Sequence, residues 1–192
     1  NNMKLIKYIL MTITSLAVLV LLVAAVSPKK YDVVKYVNID TSSKFVFDYI
    51  KYIKNQDNFS VWAEMDPNTQ KTYTGVDGTV GFVSAWKSNN KDVGQGEQEI
   101  KNIIPGKRVD FELRFNEPFQ STGQAYITTE AISESETKAV WGFYGSMPYP
   151  MNIMLLFMDM DEMLGSDLET GLENLKQLLE SNLVNLQFSD GC

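Results

Sequence analysis

The sequence predicts an α+β domain in which a curved seven-stranded antiparallel sheet wraps around a long C-terminal helix, preceded by one transmembrane helix. Three observations predict it: an uncharged apolar stretch opens the chain, two-residue alternation then dominates residues 71–146, and an apolar stripe of helical period follows. Residues 1–30 are expected to form a membrane anchor and short linker, and residues 31–180 the domain. Residues 181–192 show no clear period and are expected to be a disordered tail.

Residues 8–26 are typical of a membrane-spanning helix, since they carry no charge and have two lysines close by on each side. A helix of this length reaches about 28 Å, close to the thickness of a bilayer hydrocarbon core. A cleaved signal peptide is the alternative, but the apolar run is long for one and residues 24–27 form a poor cleavage site. The lysines on the two sides are nearly balanced, so the positive-inside rule does not decide the orientation of the helix. We expect a single-pass protein of the cytoplasmic membrane with its soluble domain outside the cytoplasm.

Composition excludes several classes of function. The net charge of −7 argues against a nucleic-acid partner, because phosphate binding requires a Lys/Arg surface. The chain has no histidine, and its single cysteine is Cys192. A Ser-His-Asp triad, a Cys-His dyad and a zinc site are therefore excluded, and no cofactor or metal is expected. Any catalysis would have to use carboxylates, Tyr, Lys, Arg or backbone dipoles.

The soluble part begins with an alternating segment over residues 31–39, which predicts a strand. Residues 40–42 (DTS) supply N-cap candidates for a helix over residues 43–53, and a second short helix carries Trp62. Links rich in Gly, Pro, Asn and Asp then separate further alternating segments, which indicates an antiparallel meander. The six predicted strands are residues 71–74, 80–87, 95–103, 107–115, 121–132 and 138–146.

The last predicted element is a long helix over residues 150–180, beginning at Pro150. Its apolar stripe suits it to cover the apolar face of the sheet. The stripe consists of Leu164, Leu168, Leu172, Leu175 and Leu179. Long methionine and aromatic side chains near the start of this helix would form an adaptable wall, which favours an apolar cavity between helix and sheet. The alternative is that these side chains simply fill a solid core. The candidate cavity residues are Trp62, Phe82, Trp86, Phe111, Phe115, Trp141, Phe143, Met154, Phe157 and Met158.

The order of strand, two helices, six strands and long helix resembles the helix-grip fold of the START-like (SRPBCC) superfamily. Short strings along the chain carry the resemblance, which covers residues 31–179 and is closest to the bacterial polyketide-cyclase/dehydrase-like branch. These strings are residues 45–50 (FVFDYI), 61–67 (VWAEMDP), 93–96 (VGQG), 104–109 (IPGKRV), 115–119 (FNEPF) and 148–179. The resemblance implies a cavity for an apolar or amphipathic ligand, but no single activity, because the superfamily includes carriers, receptors and cyclases.

Each polar candidate residue has two interpretations, a functional role and an ordinary structural role. Glu64, and Asp66 beside it, lie near the expected cavity mouth, where a desolvated carboxyl could act as general acid or base; a solvated loop carboxylate is the alternative. Three further carboxylates superficially resemble a metal cluster but lie on a predicted helix, which indicates a solvated face. They are Asp159, Asp161 and Glu162. Arg108 and Arg114 are expected on the outer face of the sheet, with ligand anchoring as the alternative.

Three hypotheses of function follow. The one we favour is a membrane-tethered binding protein that holds a hydrophobic small molecule or lipid. The second is a polyketide-cyclase-like enzyme that uses carboxylate acid/base chemistry at Glu64 or a tyrosine. The third is a partner-binding envelope protein whose own side chains fill the core. The absence of histidine, and of cysteine within the domain, counts against catalysis.

Overall fold

The computed structural model describes residues 2–117 and 120–189, and the side chains of residues 3–117 and 120–181. In chain order the elements are α1 (Asn2–Val26), β1 (Lys30–Ile39), α2 (Ser43–Ile50), a 3₁₀ helix (Ile53–Asn58), α3 (Val61–Met65), β2 (Gln70–Thr74), β3 (Val83–Lys87), β4 (Gln95–Ile104), β5 (Arg108–Glu117), β6 (Ser121–Ala131), β7 (Thr137–Ser146), a second 3₁₀ helix (Met151–Leu156), a π-helical turn (Asp161–Gly165) and α4 (Ser166–Ser189).

The seven strands form one sheet in the order β1-β7-β6-β5-β4-β3-β2, and every neighbouring pair is antiparallel. Strand β1 therefore pairs with β7, and the remaining strands follow as a meander. Helix α4 lies against the sheet and contacts β1 and β7. The predicted fold class, a helix-grip α+β fold behind an apolar N-terminal helix, is confirmed.

The core lies where α2 and α4 meet the inner face of the sheet. Alternate residues of each strand point inward, as the period of two predicts. The fully buried side chains of the sheet and α4 include Val33, Ile39, Ile100, Val109, Phe111, Ile127, Leu168, Leu172, Leu175 and Leu179. Four of the five stripe leucines are thus buried, and Leu164 packs half-buried against them. Helix α2 begins at the predicted N-cap, since the Ser42 hydroxyl accepts a hydrogen bond from the Phe45 amide at 3.4 Å.

The long helix predicted from Pro150 is wrong in its first part. Residues 147–160, which we call the connector, run from β7 to the π-helical turn and contain only the short 3₁₀ helix; α4 begins at Ser166. The connector is apolar on nearly every side, so its sequence carries no stripe that would fix a regular helix to the core. Instead, the buried polar residue Asn152 attaches the connector to the end of α1.

The tail expected from residue 181 onward is helical as far as Ser189, because α4 continues there without a break. No proline or glycine lies between Gly171 and Gly191 to stop the helix, and the absence of a clear apolar period did not end it. Residues 190–192, including Cys192, lie outside the described residues.

Helix α1 is the one described helix that is long and apolar enough to cross a bilayer, with a mean hydropathy of 2.8 over an 18-residue window. Its apolar side chains are almost all exposed. Only its end touches the domain, where it meets the connector. There the Asn152 side-chain amide donates hydrogen bonds to the carbonyls of Ala24 (2.7 Å), Ser27 (3.1 Å) and Pro28 (3.3 Å). Asn152 thereby caps carbonyls that the helix end leaves without partners.

Replacing Asn152 with alanine is expected to destabilise the protein by about 1–3 kcal/mol, because the buried carbonyls at the end of α1 lose their donor. Thermal unfolding of the full chain in detergent micelles would measure the change. Asn68→Ala, which changes an exposed loop asparagine, is the matched control and should leave the transition where it is. Equal transitions for both variants would contradict this role of Asn152.

Candidate functional site

A cavity of about 520 Å³ lies between the inner face of the sheet and the segments that cover it, α3, the π-helical turn and the start of α4. The strand residues that line it come from one end of the sheet, where β1, β2, β4 and β6 begin and β3, β5 and β7 end. That is also the end at which α1 joins β1. The leucines of α4 from Leu172 onward, and α2, fill the opposite end. The domain is therefore solid at one end and hollow at the end nearest α1.

Glycines on the inner face of the sheet leave much of the space that the cavity occupies. Three aromatic rings lie directly over glycines of neighbouring strands, and all three rings line the cavity. The pairs are Trp86 over Gly96, Phe143 over Gly123 and Tyr31 over Gly145. A Cβ atom on Gly123 would lie 2.5 Å from Cζ of Phe143, so only glycine permits this approach. Because these rings lie down on the sheet, they form the wall of the cavity and do not fill it.

Five of the ten candidate cavity residues line the cavity: Trp62, Trp86, Phe115, Trp141 and Phe143. Four of them pack edge to face in two pairs, Trp62 with Trp141 at 6.1 Å and Trp86 with Phe115 at 5.8 Å between ring centroids. Such pairs give the wall a defined shape. All three tryptophans of the chain are among the five, so intrinsic tryptophan fluorescence reports on this cavity.

The other five candidates lie outside the cavity wall. Phe82 and Phe111 are fully buried in the solid core. The connector, which does not form the long helix predicted for it, contains Met154, Phe157 and Met158. Phe157 is 84% exposed. The cavity is lined instead by residues a little further along the chain: Met160, Met163 and Leu164.

Polar side chains on the inner face were not anticipated from the sequence. Ser84 and Gln98 are paired across β3 and β4 and both line the cavity. Each holds an inward position in its strand, Ser84 between Phe82 and Trp86, so the alternation alone could have identified them. Gln56, from the first 3₁₀ helix, is also part of the wall. Its buried Nε2 has no hydrogen-bond partner among the described residues.

Ionisable groups lie at the edge of the cavity. Lys71 and Asp57 line it together and form an ion pair with each other. Burial raises the pKa of the Tyr31 phenol above its ordinary value. Glu117 accepts a hydrogen bond from the Gln95 side chain at 3.0 Å. The cavity is thus mainly aromatic and aliphatic, with polar groups on the first 3₁₀ helix and on strands from β1 to β6.

The carboxylates singled out from the sequence lie elsewhere. Glu64 is exposed on α3 and is not part of the cavity wall. Asp66 is half-buried and ties two loops together, since it accepts hydrogen bonds from the Ser88 hydroxyl and, at 2.9 Å, from the Asn68 amide. These bonds, that of Ser88 first, lower the pKa of Asp66. Its role in the structure is to hold the loop after α3 against the β3–β4 turn beside the cavity.

The acidic residues before α4 form no metal site, and among the described residues no group of three or more His, Cys, Asp and Glu is suited to hold a metal ion. Asp159 accepts hydrogen bonds from the backbone amides of Asp161 and Glu162, at 3.0 and 3.1 Å. Asp161 also pairs with Lys35 at 2.8 Å. All three carboxylate residues are exposed, Asp159 in the connector and Asp161 and Glu162 on the π-helical turn.

Both arginines lie on the outer face of the sheet, away from the cavity. Arg108 stacks on Tyr126, 3.9 Å from the ring centroid. Arg114 pairs with three carboxylates of β4 and β5: Glu97, Glu99 and Glu112. Arg108 also pairs with Asp110 at 2.7 Å, so both charges have partners without a ligand.

No protein-family model matches the chain, and no curated protein matches it. Solved structures share its fold at low sequence identity. An uncharacterised protein from Rhizobium leguminosarum is 17% identical with a TM-score of 0.55, over 80% of this chain and 96% of that one. Ara h 8.0201 is 12% identical with a TM-score of 0.52, over 79% and 99%. The XoxI protein of Bacillus cereus is 13% identical with a TM-score of 0.55, over 77% and 94%. These likenesses establish the helix-grip fold and nothing finer.

Gly123→Ala is expected to lift the Phe143 ring off the sheet and into the cavity, at a cost in stability of about 1–3 kcal/mol. Acrylamide quenching of tryptophan fluorescence should then fall, because the quencher loses room beside the three tryptophans. Gly142→Ala is the control, since its Cβ would crowd the Tyr126 ring on the outer face. Equal quenching in the two variants would show that the inner glycine does not keep the cavity open.

Acid is expected to weaken the loop contact made by Asp66. Because its pKa is lower in the folded than in the unfolded protein, the contact stabilises the fold above about pH 4 and this contribution is lost as the pH falls through the lowered pKa. Unfolding midpoints measured across the acidic range should therefore fall less steeply for Asp66→Asn than for the unaltered protein. Glu64→Gln, which removes an exposed neighbouring carboxylate, controls for the change in net charge. A slope in Asp66→Asn equal to that of the unaltered protein would disprove the linkage.

Proposed function

We propose that this protein is a START-like, membrane-tethered binding protein that holds an apolar or amphipathic small molecule, such as a lipid, in its cavity. The observation that carries the proposal is the cavity itself: about 520 Å³, walled by three tryptophans and two phenylalanines. Ligand pockets in proteins commonly enclose about 300–1,000 Å³ behind mainly apolar walls with a few polar groups. The third hypothesis, a core filled by its own side chains, does not account for this space.

The polar groups support an amphipathic ligand over a purely apolar one. The inward side chains of Ser84 and Gln98 offer hydrogen bonds to a hydroxyl, carbonyl or carboxyl group. The polyketide-cyclase-like alternative has less support, since Glu64 lies outside the cavity wall, which leaves the Tyr31 phenol as its acid/base candidate.

The tether in this proposal is α1. It has the length and composition of a bilayer-spanning helix, and almost all of its side chains are exposed to the surroundings. An exposed apolar helix of this kind is stable in a bilayer and unfavourable in water. It would keep the domain next to the membrane, in which apolar molecules are concentrated.

The test uses the full chain extracted from membranes into lipid nanodiscs. Mass spectrometry after organic extraction would identify a bound molecule as a stoichiometric addition over empty nanodiscs. Dibrominated stearic acid is a second probe, because bromine quenches tryptophan fluorescence at short range and all three tryptophans line the cavity.

Ala125→Phe is expected to reduce binding of the brominated acid at least about tenfold, a loss of about 1.4 kcal/mol. Ala125 lies on the cavity floor with Phe111 and Phe143 opposite it on the two neighbouring strands, so a larger ring would occupy the free space. Ala131→Phe, at the exposed end of the same strand, is the control. If no molecule is recovered and the two variants quench alike, the binding proposal is wrong.

A further inference from the structure

The connector exposes an apolar surface that no part of the described domain covers. Its residues 147–158 carry no charge, and five of its large side chains are well exposed. These are Tyr149, Met151, Met154, Leu156 and Phe157. Soluble surfaces rarely gather so many large apolar groups in one short segment unless they meet a partner or a membrane.

The connector is fixed to the end of α1. Besides the three hydrogen bonds from Asn152, the Tyr149 hydroxyl donates to the Leu21 carbonyl at 3.4 Å, and the Met147 amide donates to the Lys29 carbonyl at 2.9 Å. The exposed apolar surface of α1 thus continues, through Val26, into that of the connector. The two surfaces are held together and would meet the same apolar phase.

The length of α1 places this junction at a membrane boundary. Residues 3–26 reach about 36 Å as a helix, somewhat more than the hydrocarbon core of about 30 Å. The exposed Lys29 and Lys30 follow directly, and tyrosines such as Tyr149 are frequent where hydrocarbon meets water. A helix that crosses the bilayer therefore brings the connector to the level of the lipid headgroups.

The hollow end of the domain lies at this same junction. Tyr31, just after α1, lines the cavity, and so do Met160 and Met163, at and just beyond the end of the connector. Met163 is 52% exposed as well, so it lies where the cavity meets the outside. From these positions we infer that the connector rests in the surface of a lipid bilayer, where the cavity mouth is next to the lipid. The inference rests on the proposed function for α1 as a membrane span.

The experiment reads membrane depth at single labelled cysteines of the full chain in phosphatidylcholine vesicles. Cys192→Ser first removes the natural thiol. An environment-sensitive fluorophore is then attached to Phe157→Cys in the connector, to Leu16→Cys in the middle of α1, or to Ile132→Cys. Ile132 is 49% exposed and lies beyond the opposite end of the sheet, so it is the matched control. Spin-labelled phosphatidylcholine serves as the quencher.

The expected result is strong quenching at Leu16 and Phe157 and little at Ile132, with the Phe157 signal several-fold above that of the control. Quenching at Leu16 alone would overturn the inference while leaving the span intact. Emission at Phe157 that depends on protein density and not on the quencher would assign the surface to a second copy of the chain, and so also overturn it. A failure of quenching at Leu16 would reject the span and the inference together.

Ligand binding is tested apart from membrane contact. The same Phe157 measurement in an Ala125→Phe background should give unchanged quenching, because Ala125 lies on the cavity floor and not beside the exposed connector side chains. Conversely, Phe157→Glu should slow the transfer of dibrominated stearic acid from donor vesicles into the cavity several-fold, whereas Ile132→Glu should not. Equal transfer rates for these two variants would show that the ligand does not pass the connector.

Discussion

The contact between the α4 leucines and the inner face of the sheet decides where this domain is solid and where it is hollow. Leu168, Leu172, Leu175 and Leu179 are fully buried, and most of them lie at the end of the sheet remote from α1. There they pack in one buried cluster with large strand residues such as Ile127 and Val109. Toward α1 the covering chain changes to a π-helical turn and then to the connector, and the inner face carries small residues.

The hollow end is kept open by the sheet and not by a gap in the helix. Glycine at positions 96, 123 and 145 lets three aromatic rings lie against neighbouring strands. Those rings line the cavity. An aromatic-rich inner face would ordinarily be taken for a filled core, and here it encloses about 520 Å³.

One polar residue joins the soluble domain to the apolar helix. Asn152 is fully buried, and it supplies hydrogen bonds to carbonyls at the end of α1 that have no partner within that helix. The bonds set the connector, the cavity mouth and α1 at one end of the molecule. The cavity, an apolar helix and an exposed apolar segment are thus neighbours in space, although residues 147–158 lie far from residues 2–26 in sequence.

The sequence by itself determined the seven strands, their inward faces, the apolar helix and the leucine stripe, because each depends on local periodicity and turn chemistry. It also identified five aromatic residues of the cavity wall. Tertiary structure alone decided that Phe82 and Phe111 belong to the solid core, that Phe157 is exposed, and that Met160 and Met163 line the cavity in its place. Periodicity assigns a side chain to a face but does not say how far along the sheet the covering helix reaches. The boundary between the solid and the hollow end depends on contacts between segments that are distant in sequence. Here these are the hydrogen bond from Asn152 to α1 and the close approach of aromatic rings to glycines of neighbouring strands.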